Sequence, residues 1–234
     1  MPNRQIELKI ADGSTMHGFV SFPDHAGPFP AIIVLQEAFG VNHHIKKITV
    51  RLAEEGYLAF APELFHRTAS PGFEGDYNNF ESVKPHMQGL SLEGQSADLH
   101  ATYEWIAGQS YVAKGKLASI GFCMGGRVSF LANAILPVAC GVSYYGGNMP
   151  SVIDKVDSIH GPHLFFWGGM DKHITAEQID LTVSAMQKAG KPYVNVVFSY
   201  ADHAFNCDER ANYHPRAAAE AWAMTLAFLK NNLS

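Results

Sequence analysis

The chain has 234 residues, of which 47% are hydrophobic and 17% are charged, and its formal net charge is −5. Such values are typical of a globular protein with one sizeable core, and we expect a single domain over residues 1–234. The absence of any Lys/Arg run argues against nucleic acid as a partner, and no apolar run reaches the ~20 residues of a membrane helix. The N-terminus lacks the apolar block of a signal peptide, which predicts a cytoplasmic protein.

Strand-like and helix-like segments then alternate along the chain. The first two segments, QIELKI and TMHGFVSF, predict an antiparallel pair around the turn ADGS. Buried strands are predicted for PAIIVLQ, YLAFAPEL, GKLASIGF, ACGVSYYGG, HLFFWGG and YVNVVFSY. Helices are predicted for HHIKKITVRLAEEG, LEGQSADLHATYEWIAGQ, GGRVSFLANAIL, TAEQIDLTVSAMQKAG and PRAAAEAWAMTLAFLKNN. Residues 66–90 are rich in Gly, Pro, Asn and Asp, which predicts a loop.

This alternation predicts an α/β fold. We expect a mostly parallel, doubly wound sheet with right-handed crossovers, an N-terminal antiparallel strand pair and helices on both faces. Ligands of such sheets bind at the carboxyl ends of the strands. The residues that directly follow predicted strands are therefore the candidates for chemistry.

The stretch IGFCMGGR, residues 120–127, places Cys123 between a predicted strand and a predicted helix. The spacing G-x-C-x-G is that of a nucleophile elbow, in which small neighbours let strand and helix approach closely. The helix N-terminus favours the thiolate, which is the reactive form. The alternative is an inert buried thiol in a tight turn. A phosphatase-type C-x5-R loop is excluded because Arg127 comes four residues after Cys123.

The other two cysteines, Cys140 and Cys207, are expected to be structural, and the alternative for Cys207 is that it lines the cleft. Three cysteines without C-x-x-C spacing argue against a disulfide framework and against a zinc ribbon. No H-E-x-x-H or comparable metal motif occurs, and we expect neither a metal nor an organic cofactor.

Two further residues follow predicted strands in an informative order. Asp171 comes after HLFFWGG, and His203 comes after YVNVVFSY. A carboxylate can orient an imidazole, and histidine is the usual base for a thiol. Each residue alone would more often be structural, and the chain has twelve histidines. The order Cys123, Asp171, His203 is nevertheless that of the α/β-hydrolase triad.

Glu37 follows the early buried strand PAIIVLQ. In α/β hydrolases this segment supplies one amide of the oxyanion hole, and the residue after the nucleophile, here Met124, supplies the other. A carboxylate facing such a cleft is costly unless it is paired or catalytic. The alternative is a solvent-exposed glutamate in a loop.

The combination of PAIIVLQEAFGVN, YLAFAPELF, IGFCMGGR, SYYGG, GGMDKHI and YADHAFN resembles the dienelactone hydrolase (carboxymethylenebutenolidase) family over nearly the whole chain. The resemblance implies an α/β-hydrolase fold that opens enol-lactones with a Cys-His-Asp triad. It implies Cys123 as nucleophile, Asp171 as orienting acid, His203 as base and Glu37 as a helper in thiol activation. The oxyanion hole would consist of the backbone amides of Ala38 and Met124.

The chain departs from this family where the substrate carboxylate is held. Well-known members use one arginine in the middle loop and another four residues after the histidine. Here Cys207 stands at the second position, and Arg210 is out of register. The middle loop, residues 68–89, contains no arginine, and its nearest basic residues are Arg67 and Lys84. Dienelactone itself is therefore in doubt, and aromatic side chains are available for a more apolar pocket, among them Phe39, Tyr145 and Phe205.

We therefore expect an esterase-type hydrolase that opens a lactone or a small activated ester, as a monomer or a homodimer. A general carboxylesterase or thioesterase with the same triad is the alternative within the enzyme class. A small-molecule binding module without catalysis is the alternative outside it. The sequence leaves open the natural substrate and whether residues 66–90 form a lid.

Overall fold

The computed structural model describes residues 2–234, and this range contains eight strands, six α-helices and two short 3₁₀ segments. The strands are β1 (Asn3–Lys9), β2 (Thr15–Ser21), β3 (Phe29–Leu35), β4 (Leu58–Pro62), β5 (Val112–Phe122), β6 (Cys140–Tyr144), β7 (His163–Gly168) and β8 (Tyr193–Phe198). The α-helices are α1 (His43–Glu54), α2 (Phe80–Gln88), α3 (Leu92–Ala107), α4 (Met124–Ile135), α5 (Ala176–Lys188) and α6 (Pro215–Leu233). The 3₁₀ segments are Met149–Ser151 and Ile153–Ser158.

Backbone proximity divides the chain into two compact units, one that ends at Leu117 and one that runs from Ala118 to Ser234. The division falls inside β5. The single domain expected over residues 1–234 stays a prediction.

The first unit holds the N-terminal strands in the order β1-β2-β4-β3. Strand β1 pairs antiparallel with β2, β2 pairs antiparallel with β4, and β4 pairs parallel with β3. The N-terminal antiparallel pair is thus confirmed. Asn42 caps α1 by accepting a hydrogen bond from the Ile45 amide, and the helix buries Ile45, Ile48 and Leu52. The predicted stop at Gly56 fits its φ of +92°, which a side chain would disfavour.

The second unit holds parallel pairs from β5 through β6 and β7 to β8, in chain order. Every residue of β6 and β7 is buried, as the continuous apolar runs predict. Because these strands are parallel neighbours, the residues that follow them meet at one edge. Helix α4 packs on β6, and α6 packs on β6 and β7. The predicted mostly parallel, doubly wound α/β fold with helices on both faces is confirmed.

The prediction of a loop over residues 66–90 is wrong in part, because α2 covers Phe80–Gln88. Asn79 caps this helix by accepting a hydrogen bond from the Ser82 amide, and Val83 is its buried residue. A nine-residue helix with one buried position and an internal Pro85 has little periodicity to detect. The 3₁₀ segments were not predicted either, since three to six residues are too few for a pattern.

Within residues 2–234, no helix combines the length and the apolarity that crossing a membrane would require.

A fully buried histidine, His163, lies at the start of β7. Burial lowers the pKa of His163 from 6.5 to about 3, so the folded protein keeps this ring neutral where the unfolded chain protonates it. Its contribution to stability is therefore complete above pH 6.5 and is lost as the pH falls toward about 3.

We expect the free energy of unfolding to fall more steeply with acidification in the wild type than in His163→Gln. The difference in slope should approach about 1.4 kcal/mol per pH unit below the unfolded pKa, because one proton is taken up on unfolding. Urea unfolding of both proteins at several pH values between 7 and 4.5 measures it. Parallel profiles would contradict a neutral buried ring.

Candidate active site

Cys123 occupies the turn between β5 and α4 with φ 54° and ψ −117°. A non-glycine residue with this backbone costs about 1–3 kcal/mol and persists only where its surroundings hold it. The Cys123 amide donates to the Tyr144 carbonyl at 3.0 Å, and the Cys123 carbonyl accepts from the amides of Gly126 at 3.0 Å and Gly147 at 3.2 Å. The peptide is thus fixed on both sides, and the half-buried side chain projects from a strained turn.

The glycines of the motif are required by steric crowding. A Cβ atom at Gly121 would lie 1.8 Å from the Gly125 carbonyl oxygen. A Cβ atom at Gly126 would lie 2.8 Å from the Gly146 Cα atom. The strand and the helix approach each other across these positions, as the elbow spacing predicts.

Asp171 follows β7, and His203 follows β8, in the same unit as Cys123. The Asp171 Oδ2 atom lies 2.6 Å from His203 Nδ1. Asp171 Oδ1 accepts from the amides of His173 at 2.7 Å and Ile174 at 3.1 Å. Three donors therefore hold a carboxylate whose side chain is only 1% exposed. This arrangement orients the imidazole and favours its protonated form.

Cys123 is the second side chain, besides Asp171, that shifts the pKa of His203. Burial by itself lowers the pKa of His203, but the charge of the Cys123 sulfur and the hydrogen bonds to Asp171 and Cys123 raise it to about 10. Burial likewise opposes ionisation of Asp171, yet its hydrogen bond to His203 and the charge of the ring hold the pKa of Asp171 below its usual value. The carboxylate and the imidazole thus share one hydrogen bond, and the charge of the sulfur acts on the same ring.

Aromatic side chains surround the histidine. The ring centroid of Tyr145 lies 5.1 Å from that of His203 and 5.2 Å from that of Phe205. Tyr145 and Phe205 are both fully buried, and so is Cys207. Contact of Tyr145 and Phe205 with substrate stays a prediction. In this structure Tyr145 packs against the imidazole, and Phe205 packs against Tyr145.

The first unit holds the residues expected after β3. Glu37 is fully buried, and within the described residues neither of its carboxylate oxygens has a hydrogen-bond partner. Ala38 and Phe39 are buried and cluster with Val83 of α2. Because it is buried, Glu37 is not the solvent-exposed glutamate of the alternative interpretation. Burial of a carboxyl group without a partner is costly. Met124, the other expected amide donor, is the first residue of α4 in the second unit.

One charged neighbour of the sulfur was not predicted. Arg127 lies on the first turns of α4, four residues after Cys123. Burial lowers the pKa of Arg127, and the charge of Cys123 opposes that shift. The sequence signal for this position is its place in the nucleophile motif, since Arg127 is the last residue of IGFCMGGR. No cluster of three or more metal-ligating side chains occurs among residues 2–234.

A strained cysteine between a parallel strand and a helix, with an Asp–His pair after later strands, defines an α/β hydrolase. The family model described as the dienelactone hydrolase family matches residues 16–233. The chain belongs to the dienelactone hydrolase family, which makes it an enzyme of the carboxylic ester hydrolase class. The predicted resemblance and the predicted fold are both confirmed.

Individual relatives agree over most of their length. A candidate carboxymethylenebutenolidase of Yersinia pestis is 36% identical over 92% of this chain and 84% of its own. One of Escherichia coli strain K12 is 34% identical over 95% of this chain and 90% of its own. The crystal structure of a candidate dienelactone hydrolase from Klebsiella pneumoniae is 32% identical with a TM-score of 0.86, covering 98% of this chain and 99% of its own.

We expect Cys123→Ser to lower the pKa of His203 from about 10 by more than one unit, because the charged sulfur is the largest cause that raises it. The Hε1 resonance of His203, followed by NMR against pH, measures this value. Cys140→Ser is the matched control, since Cys140 is a fully buried thiol on β6. A His203 midpoint unchanged in Cys123→Ser would contradict the pairing.

Proposed function

We propose that this enzyme opens a lactone or a small activated ester with Cys123 as nucleophile, His203 as proton carrier and Asp171 as the residue that orients it. The observation that carries the proposal is the 2.6 Å hydrogen bond between Asp171 and His203, in the same unit as a cysteine at a strained strand–helix turn. A thiolate next to a protonated imidazole is the activated form of a cysteine nucleophile.

The reaction follows from these groups in two halves. The Cys123 thiolate attacks the carbonyl carbon, and the amide of Met124, together with that of Ala38, stabilises the oxyanion. The oxyanion collapses, the carbon–oxygen bond to the leaving alkoxide breaks, and His203 gives its proton to that oxygen. Water, deprotonated by His203, then attacks the thioester, and the carbon–sulfur bond breaks to release the acid and restore the thiolate. No metal or organic cofactor takes part in these steps.

Glu37 is proposed to assist the activation of the thiol. A buried carboxylate without a hydrogen-bond partner destabilises the fold, and such groups persist where function needs them.

The substrate is proposed to lack the carboxylate that the well-known members bind. Cys207, fully buried, stands four residues after His203, where those members have an arginine. Phe39, Tyr145 and Phe205 are proposed to contact an apolar acyl group. A small molecule is thus the proposed partner, and the oligomeric state is proposed to be monomer or homodimer.

We expect Cys123→Ala to lower kcat for lactones and aryl esters by at least about a thousandfold, because the nucleophile is removed. Cys140→Ala, which removes a thiol from the core, should keep kcat within about twofold once its folded fraction is normalised. Full turnover by Cys123→Ala would overturn the proposal. If the wild type hydrolysed no ester or lactone, the protein would instead be the small-molecule binding module without catalysis. A preference for acyclic esters or thioesters over lactones would identify the alternative esterase.

We expect Glu37→Gln to lower kcat about tenfold or more, because the proposed helper carboxyl group is lost, and to raise the free energy of unfolding by about 1 kcal/mol, because the residue is buried without hydrogen-bond partners for its function rather than for stability. Glu63→Gln is the control: Glu63 is also buried, but its Oε2 accepts from the Gly72 amide at 2.9 Å. Its neutralisation should lower stability and spare kcat. Urea unfolding and steady-state kinetics measure both effects, and unchanged kcat in Glu37→Gln would rule out the helper role.

A further inference from the structure

A second buried histidine in the same unit lies within a fully satisfied hydrogen-bond network. His163 Nε2 lies 2.8 Å from Ser143 Oγ, and the Ser143 hydroxyl donates to the Gly126 carbonyl at 2.6 Å. On the other side, His163 Nδ1 lies 3.1 Å from Asn133 Nδ2. His163, Ser143 and Asn133 are all fully buried.

The network allows only one arrangement of protons. The single hydroxyl proton of Ser143 goes to the Gly126 carbonyl, so Ser143 must accept a hydrogen bond from His163 Nε2–H. His163 Nδ1 is then the acceptor for the Asn133 amide group. Asn133 uses its other amide proton for the Gly161 carbonyl at 2.9 Å and accepts from the Gly161 amide at 3.0 Å. A neutral imidazole with one fixed tautomer results.

Both ends of the network lie on α4, the helix that follows the nucleophile. Gly126 and Asn133 are seven residues apart, which is two turns on one helix face. The Gly126 amide donates to the Cys123 carbonyl at 3.0 Å, while its carbonyl accepts from Ser143. One residue, Gly126, therefore connects the network to the Cys123 carbonyl, through the two peptide groups on either side of its Cα atom.

We infer that Ser143 and His163 are positioning residues, which hold the first turn of α4 and with it the Cys123 sulfur and the Met124 amide in the reactive geometry. The inference rests on the proposed nucleophilic role of Cys123. The hydroxyl of Ser143 holds the Gly126 carbonyl directly. His163 orients that hydroxyl by donating a hydrogen bond to the Ser143 oxygen. Small displacements of reacting groups cost large factors in rate, so a lost tether should reduce turnover without changing substrate binding.

Ser143→Ala tests the tether, and Ser119→Ala is the matched control. Ser119 is equally buried, and its hydroxyl lies 2.8 Å from that of Ser129, one turn further along α4. We expect Ser143→Ala to lower kcat about tenfold with KM changed less than about twofold, and to slow alkylation of Cys123 by iodoacetamide several-fold. Both kcat and the alkylation rate are normalised to the folded fraction of each variant, so a difference in stability alone does not change them. Ser119→Ala should lose similar stability and keep both rates within about twofold.

His163→Gln, which can still donate to Ser143, should retain more of kcat than His163→Leu, which cannot. Equal losses in Ser143→Ala and Ser119→Ala, or no loss in Ser143→Ala, would overturn the positioning role. The alkylation rate does not depend on turnover. If Cys123→Ala kept full activity, the proposed function would fail, and the alkylation rates of the serine variants would still decide whether the network positions the sulfur.

Discussion

The left-handed backbone of Cys123 is the constraint on which the candidate site depends. At φ 54° the turn lets β5 run directly into α4, and the Tyr144 carbonyl and the Gly126 and Gly147 amides hold it there. Gly126 lies on α4, Tyr144 ends β6 and Gly147 follows β6 by three residues. The backbones of β5, α4 and the segment after β6 approach so closely only because Gly121 and Gly126 have no side chain. The strain of one residue is thus maintained by the packing of its neighbours, and the sulfur is presented by the fold rather than by its own rotamer.

Two buried histidines in one unit have opposite protonation, and their partners explain why. His203 faces a carboxylate and a sulfur, so its pKa rises to about 10 in spite of burial. His163 faces a hydroxyl and an amide, which offer no charge, so its pKa falls to about 3. Burial is therefore not what decides the charge of an imidazole in this protein. The charged ring serves the candidate chemistry, and the neutral ring serves as a rigid connector.

Much of the fold and part of the site could be predicted from the sequence, for identifiable reasons. The strands of the second unit are continuous apolar runs, and the residues after them are ordered as Cys123, Asp171 and His203, so chain order alone selected one histidine of twelve. The role of His163 could not be selected in this way, because its partners Ser143 and Asn133 are distant in sequence and common in type. Helix α2 was missed because one buried residue, Val83, sets no period. The absence of hydrogen-bond partners for the Glu37 carboxyl group depends on tertiary packing, and residue spacing in the sequence cannot predict it.

The glycine contacts of the elbow also bear on how the specificity of such an enzyme can change. With 1.8 Å to the nearest backbone oxygen at Gly121 and 2.8 Å to the nearest backbone carbon at Gly126, neither position has room for a methyl group. Adaptation to a new substrate therefore cannot proceed through these positions of the nucleophile motif. Sequence change at the proposed nucleophile turn is thus restricted by backbone packing, and the rest of the chain is free to diverge at a different rate.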